Sequence, residues 1–262
     1  MPLHFRSLRS SSRGNCLALW TDRTRVVIDC GLGSMRKTRQ ILTEELGTPA
    51  DIDAVVISHA HTDHVSYYPL RVLEGEGITV RICEECLEQL RNKHFNGYGF
   101  GSLRIKTFSD RSFRVGDLTF RAFRLPHHPY YPTYGFVVTY RKKKVVIATD
   151  FNRWQDCLEH FIDADFLFVE SNHDLGLLSR YYNPNSEFHL PNPETARLLC
   201  SAKKNSRRTC GAVMLGHLSL IRNDTDIALG EIRDSFQNSG VELNFGLWAA
   251  PRLQASRTVE IA

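Results

Sequence analysis

Short apolar runs, each followed by a polar loop, dominate the hydrophobic pattern of this chain. The runs are rich in Val, Ile, Phe and Thr, which β-strands favour. They predict strands at Cys16–Trp20, Arg25–Cys30, Ala54–Ser58, Thr79–Ile82, Arg104–Phe108, Phe113–Val115, Leu118–Arg124, Tyr134–Tyr140, Lys144–Thr149, Phe166–Glu170, Ala212–Gly216 and Glu242–Gly246. The strands come in two groups, each accompanied by helices. This order favours an α/β fold in which two sheets pack face to face with helices outside.

The segments between the strands show helical spacing. The clearest is Thr225–Ser239, where Ile227, Ile232 and Phe236 are the apolar positions. The predicted helices are Ser34–Leu46, Tyr68–Gly75, Cys83–Lys93, Trp154–Phe161, His173–Tyr181, Asn192–Ser201 and Thr225–Ser239. The chain has 262 residues and neither an internal repeat nor a long linker, so we expect one domain over residues 1–262.

Composition narrows the class of protein. No apolar run approaches the roughly 20 residues of a membrane span, so no membrane partner is expected. The net charge of +4 permits a nucleic-acid partner without requiring one. The N-terminal segment is rich in Arg and Ser, as transit peptides are, but the hairpin pattern around Thr21–Arg25 favours a structured start. Seven cysteines without an export signal favour reduced thiols in a cytoplasmic protein.

A dense cluster of metal-ligating residues follows the apolar run Ala54–Ile57. The chain there reads His59-Ala-His-Thr-Asp-His64, with three histidines and one aspartate. His59 and His61 lie two residues apart, so in an extended backbone their rings face the same side and can share one ion. Asp63 and His64 follow a change in chain direction and can reach a second ion. Imidazole and carboxylate ligands suit zinc, manganese or iron.

Later strand ends supply further ligands. His127 follows the strand Leu118–Arg124 and is the first choice in its loop, with His128 as the second. Asp150 ends a buried strand, where a lone carboxylate would be costly unless it bridged two cations. His217 ends another strand in the same way. Asp29, at the end of an earlier strand, is expected to orient a ligand histidine or to hold the loop.

The stretch His-Ala-His-Thr-Asp-His resembles the HxHxDH signature of the metallo-β-lactamase superfamily, and the order of the later ligands is similar too. The resemblance spans nearly the whole chain. It implies a four-layer αββα sandwich of two mixed sheets with the site at the sheet edges. It also implies two divalent ions, Zn²⁺ or Mn²⁺ with iron as an alternative, which Asp150 bridges. The remaining ligands would be His59, His61 and His127 for one ion, and Asp63, His64 and His217 for the other.

Three further stretches resemble the YycJ-type (WalJ-type) branch of that superfamily. They are Ser10–Cys16, similar to SGSxGNC, Glu170–Asp174, similar to EANHD, and Gly216–Ser219, similar to GHLS. The resemblance implies a 5′-to-3′ DNA exonuclease. The segment from Tyr181 to Leu190 departs from the branch and adds His189.

Two bound cations would lower the pKa of a shared water, and the resulting hydroxide would be the nucleophile. Asp63 would help to orient it. His173 is the candidate proton donor for the leaving oxygen, with Asp174 holding its ring, and a purely structural role for His173 is the alternative. Because a fold does not determine function, hydrolysis of a small-molecule ester, thioester, lactone or cyclic phosphodiester is the alternative activity. A non-catalytic scaffold would have lost ligands, and here every ligand position can be filled.

Substrate-binding features are open to two interpretations each. The basic run Arg141–Lys144 suits a phosphate backbone or a solvated turn. Tyrosines 130, 131 and 134 could stack on bases or pack within their proline-rich loop. The segment His94–Gly101 mixes glycines with aromatic residues and is a candidate lid. Ser219 could bind a phosphate or cap the helix that begins further on.

Overall fold

Two seven-stranded sheets form the centre of the molecule in the computed structural model, which describes residues 2–109 and 111–261. The first sheet has the spatial order β14-β1-β2-β3-β4-β5-β6. Its strands are β1 (Leu3–Ser11), β2 (Gly14–Trp20), β3 (Arg25–Ile28), β4 (Ala54–Ile57), β5 (Thr79–Cys83), β6 (Ile105–Phe108) and β14 (Val259–Ile261). The second sheet has the spatial order β13-β12-β11-β10-β9-β8-β7. Its strands are β7 (Phe113–Val115), β8 (Leu118–Leu125), β9 (Thr133–Tyr140), β10 (Lys143–Ala148), β11 (Phe166–Glu170), β12 (Ala212–Gly216) and β13 (Gly246–Ala249).

Helices connect the parallel strands and complete the four-layer αββα arrangement, which confirms the predicted fold class. They are α1 (Met35–Leu46), α2 (Tyr67–Gly75), α3 (Glu84–His94), α4 (Leu158–Phe161), α5 (Leu175–Arg180), α6 (Asn192–Asn205) and α7 (Thr225–Asn238). In the described part of the chain, no helix is both long enough and apolar enough to cross a membrane.

Aromatic side chains join the two sheets. Phe5 of β1 lies with its ring centroid 4.8 Å from that of Phe166 and 5.3 Å from that of Phe168, both on β11. All three side chains are buried. Burying one such side chain contributes roughly 2 kcal/mol, so this contact is a substantial part of the adhesion between the sheets.

Parallel pairing brings the carboxyl ends of the chemically important strands to one edge of each sheet. β3 pairs in parallel with β4, and β11 pairs in parallel with β10 on one side and β12 on the other. The candidate ligands follow these strand ends, as polar residues commonly do in α/β sheets. The alignment explains how residues far apart in sequence can meet at one site.

Three details differ from the sequence prediction. Strand β1 was not predicted because the buried Ser7, Ser10 and Ser11 break its apolar pattern, and a register shift between Ser7 and Arg9 breaks the alternation. Strand β14 was not predicted either. The last strand of the second sheet is Gly246–Ala249, so the prediction of Glu242–Gly246 was wrong.

Candidate metal centre

A close backbone contact holds the His59–His64 loop against the end of β3. Gly31 passes so near this loop that an added Cβ would lie 1.7 Å from the carbonyl oxygen of Asp63. The N–H of Cys30 donates to the carbonyl of His64 at 2.7 Å, and that of Asn15 donates to the carbonyl of Asp63 at 2.7 Å. Only glycine fits at position 31 without moving the loop.

Three chemically important residues leave their strands in the left-handed backbone region. The φ angles are 59° at Asp29, 64° at Asp150 and 54° at His217. Such conformations are uncommon outside glycine and cost of order 1 kcal/mol or more each. Asp and His tolerate them better than most residues. Each chain segment therefore turns sharply at the strand end, and the residue in this conformation stays at the sheet edge.

The first group of candidate ligands consists of three histidines. Nitrogen atoms of His59, His61 and His127 lie within 4.8 Å of one another. Neutral groups hold two of the rings from behind, since Ser58 Oγ lies 3.0 Å from His59 Nδ1 and His127 Nδ1 donates to the Phe188 carbonyl at 2.9 Å. Burial lowers the pKa of all three rings, that of His61 to about 3. The group is therefore neutral at pH 7, as metal ligation requires.

The second group contains two carboxylates and two histidines. Ligand atoms of Asp63, His64, Asp150 and His217 also lie within 4.8 Å of one another. Burial alone would lower the pKa of His64 and His217, but Asp150 and Asp63 raise both, that of His217 to about 10. Burial raises the pKa of each carboxyl, and the facing imidazoles outweigh this and hold both pKa values well below the usual range.

Asp150 tests whether these residues fit metal ions. Its side chain is 1% exposed, and its Oδ2 atom accepts no well-aligned hydrogen bond, although it pairs by charge with His64, whose Nε2 lies 3.0 Å away. Its Oδ1 atom lies 3.9 Å from His127 Nε2 and 3.6 Å from His217 Nε2. A buried carboxylate oxygen without a hydrogen bond is costly, and a cation between the two groups would remove that cost. The cluster therefore fits divalent metal ions on both sides of Asp150.

Carboxylates support the second group from behind. Asp29 Oδ2 accepts from His64 Nδ1 at 2.7 Å, and its Oδ1 accepts from the N–H of Ser58 at 2.8 Å. This is the orienting contact expected for Asp29. Asn15 Nδ2 donates to Asp63 Oδ2 at 3.3 Å and so fixes a second member of this group.

Glu170 and His189 are the functional candidates that sequence reasoning missed. Glu170 is fully buried, and its Oε1 atom lies 2.9 Å from His217 Nδ1 and 2.8 Å from His189 Nδ1. Burial raises the pKa of Glu170, but His189 and His217 outweigh it and hold the pKa at about 2. Glu170 is the last residue of a predicted buried strand, and Asp150 and His217 directly follow two others. Its position at a strand end could therefore have identified it from the sequence.

His173 lies outside the ligand groups. Its ring is buried, its Nδ1 lies 3.3 Å from Asn172 Oδ1, and burial lowers its pKa to about 4. Asp174, which was expected to hold this ring, instead accepts from the N–H of Leu177 at 2.7 Å and caps α5. The role of His173 as a proton donor stays a prediction.

Two other candidates have clear local roles. His128 packs its ring 4.7 Å from that of Phe188 and lies outside the candidate ligand groups of the described residues. The Ser219 hydroxyl accepts from the N–H of Arg222 at 3.1 Å within a turn, and Asp224 caps α7, so the prediction that Ser219 caps the following helix was wrong.

A cavity of about 500 Å³ opens above the cluster. Ligand residues of both groups line it, together with His189 and Lys93. The cluster therefore faces a space that a substrate can enter.

Known proteins show the same family and fold. Residues 24–210 match the family model of the Beta-lactamase superfamily domain. The exodeoxyribonuclease WalJ of Streptococcus pneumoniae serotype 2 is 27% identical over 232 residues, which cover 84% of this chain and 83% of that protein. The exodeoxyribonuclease YycJ of Bacillus anthracis is 24% identical over 256 residues, covering 92% and 91%.

Among solved structures, the metallo-β-lactamase-fold protein YhfI of Bacillus subtilis superposes with a TM-score of 0.73 at 17% identity, over 99% of this chain and 100% of that chain. This likeness concerns the fold, and the family match concerns most of the sequence. With the ligand cluster at its sheet edges, the chain belongs to the Beta-lactamase superfamily domain family and is a metallo-hydrolase.

Proposed function

We propose that this metallo-hydrolase is a phosphodiesterase acting on nucleic acid, and that it degrades DNA from the 5′ end. One observation carries the proposal: a candidate two-metal cluster lies in a chain related over most of its length to two proteins named as exodeoxyribonucleases. Zn²⁺ and Mn²⁺ are the proposed ions, because both accept mixed imidazole and carboxylate ligands.

The chain's own residues divide the work between two metal positions. His59, His61 and His127 would hold one ion, Asp63, His64 and His217 the other, and Asp150 would contact both. Bound cations would supply Lewis acidity, which makes water nucleophilic near pH 7 and stabilises negative charge on the phosphoryl oxygens. Asp63, fixed by Asn15, would orient the attacking water.

His189 is our proposed proton donor. Its side chain is 17% exposed and lines the same cavity as the ligands. Glu170 binds its Nδ1, which leaves Nε2 for the substrate. As the bond between phosphorus and the leaving oxygen breaks, that oxygen would take the proton from Nε2. The alternative donor, His173, lines a neighbouring cleft rather than the cavity of the ligands.

The function is tested with 3′-labelled DNA carrying a 5′ phosphate, in single- and double-stranded form, and with Mn²⁺ or Zn²⁺. We expect nucleotides to be released from the 5′ end. Asp150→Ala is the inactive control, because it removes the carboxylate shared by both groups. Intact DNA under every condition, together with turnover of a small ester or thioester, would show a small-molecule hydrolase instead.

The donor is tested by comparing His189→Ala with His173→Ala on two substrates. A DNA leaving group needs a proton, whereas p-nitrophenolate leaves without one. We expect His189→Ala to lower kcat on DNA by roughly 10²-fold or more and to have a much smaller effect on bis(p-nitrophenyl) phosphate. Equal losses of kcat on both substrates would indicate a structural role, and a selective loss in His173→Ala would restore that residue as the donor.

A further inference from the structure

We propose that the DNA strand being cut is bound unpaired in a cleft beside the metal centre, with a base stacked on Tyr68. The proposal rests on the proposed function and adds the path and the form of the substrate. Two clefts adjoin the cavity that the candidate metal ligands line. The shape, the charge and the exposed aromatic rings of one of these clefts support the proposal.

The two clefts leave the cavity on different sides. The first, here called the Tyr68 cleft, has a volume of about 570 Å³ and shares Thr62, Asp63 and Lys93 with the cavity. The second, the Tyr182 cleft, has a volume of about 760 Å³ and shares Asn183 and His189 with it. Size and continuity therefore allow a strand in either cleft, and charge must decide.

Charge favours the Tyr68 cleft for a polyanion. Arg13 and Lys93 line it, and among its described lining residues the only acid is the metal-site residue Asp63. The Tyr182 cleft is lined by Glu187, by Glu194, which pairs with Arg197, and by Arg153, whose guanidinium pairs with Asp156 at 2.8 Å, so the unpaired charge among these is that of Glu187. A phosphate backbone would meet uncompensated positive charge in the first cleft and net negative charge in the second.

Aromatic rings in the Tyr68 cleft are exposed but held in place. Tyr68 is 51% exposed, and its ring meets Tyr67 edge-on with centroids 5.3 Å apart. Arg71 lies 3.9 Å from the ring centroid of Tyr98, which also contacts Tyr67. Phe100, in the segment expected to form a lid, is buried in the core and anchors this group. A ring held by its neighbours loses little freedom when a base stacks on it.

Lys93 marks the passage from the metal centre into this cleft. Its Nζ lies 4.6 Å from the ring centroid of Tyr131, whose ring is in turn 4.1 Å from that of His61. The ammonium group is thus placed to contact a phosphate next to the one at the metal centre. Inner bases of a duplex are stacked on both sides, so an unpaired strand offers base faces to Tyr68 that the interior of a duplex does not.

The test compares matched residues of the two clefts in the metal-loaded enzyme. The substrate is a 5′-phosphorylated single strand, and the readout is KM. We expect Tyr68→Ala to raise KM about tenfold, Tyr68→Phe to keep the wild-type KM, and the control Tyr182→Ala to have no effect. An oligonucleotide with abasic sites at its 5′ end should bind Tyr68→Ala and wild type equally.

A second comparison uses salt. Removing one phosphate contact on a single strand should reduce the slope of log affinity against log salt by about 0.7, so Lys93→Gln should show this change and Arg153→Gln should not. If Tyr182→Ala or Arg153→Gln has the larger effect, the path is wrong. If wild type cuts DNA and neither tyrosine matters, stacking is wrong while the nuclease proposal stands. If wild type cuts no DNA, the proposed function itself fails.

Discussion

The two ligand groups of the candidate metal centre share Asp150 but are built in opposite ways. The trihistidine group carries no charge, and a hydroxyl and a carbonyl support its rings. The carboxylate group contains Asp63, and buried carboxylates stand behind both of its histidines, Asp29 behind His64 and Glu170 behind His217. One group is therefore ready for a cation, whereas the other holds its protons until a cation replaces them.

This difference shows how charge is balanced within the buried cluster. Imidazolium protons on His64 and His217 balance the carboxylates, so the folded chain avoids several unpaired buried charges. The trihistidine group needs no such balance because neutral imidazole is stable when buried. The predictions below test this contrast, beginning with the residue that both groups share.

Asp150→Ala should have the largest effect, because it removes a ligand from both groups. Substitutions behind a ligand usually cost about 10- to 100-fold, so we expect the loss of a shared ligand to exceed a hundredfold in turnover. Metal analysis of the purified variant should also show less than the wild-type content. The exposed Asp156→Ala is the control. Wild-type turnover in Asp150→Ala would remove the basis for a bridged centre.

The pH dependence of metal affinity should separate the two groups. Between pH 7 and 9 a pKa of about 10 keeps His217 protonated, and the neighbouring carboxylates also raise the pKa of His64, so binding to the carboxylate group should release protons and strengthen as pH rises. The trihistidine group is already deprotonated in this range, and its affinity should be nearly flat. Calorimetric zinc titrations in buffers of different ionisation enthalpy measure the number of protons released at each group, and repeating them at several pH values gives the pH dependence of each affinity. Equal proton release by the two binding events would contradict the contrast.

The metal-free protein should respond differently to the loss of one histidine from each group. His217→Ala leaves Glu170 and Asp63 with one partner fewer in the interior, and we expect it to lower the free energy of unfolding by about 3 kcal/mol. His61→Ala removes a neutral, partly exposed ring, and we expect a loss below about 1 kcal/mol. Urea unfolding in the presence of a chelator measures both. A larger loss of unfolding free energy in His61→Ala than in His217→Ala would contradict a neutral trihistidine group and a charged carboxylate group.

The supporting shell should show the smallest effect. Asp29→Asn keeps the shape but weakens the contact to His64, and we expect a 10- to 100-fold loss in affinity at the carboxylate group. Ser58→Ala removes a neutral hydroxyl that contacts His59 and also donates to Asp29 Oδ2 at 2.9 Å, and it should cost less because the Asp29 carboxylate stays behind His64. Competition with a chromophoric chelator measures the metal affinity of each variant. Equal losses in the two variants would mean that the negative charge of Asp29 does not contribute to metal affinity.

The sequence by itself determined most of the strands and helices, and it identified the His59–His64 stretch as part of a metal site. Apolar periodicity located most of the strands and helices, because a buried strand or helix face must be apolar wherever it occurs. It failed for β1, where buried serines make hydrogen bonds that only the folded neighbours supply, such as Ser10 Oγ accepting from the N–H of His217 at 2.8 Å. The compact stretch His59–His64 was readable as a metal site because its members are adjacent in the chain.

Only the tertiary structure decided which distant residues, beyond the predicted strand-end ligands, join that stretch. Glu170 and His189 are 19 positions apart, yet they share a 2.8 Å contact beside His217. His173, closer in sequence to Glu170, packs away from the ligands. Their placement depends on how the parallel strands β10, β11 and β12 align and on where the loop before α6 returns to the sheet edge. Local periodicity carries no information about such long-range pairing, because the pairing is set by the packing of whole sheets.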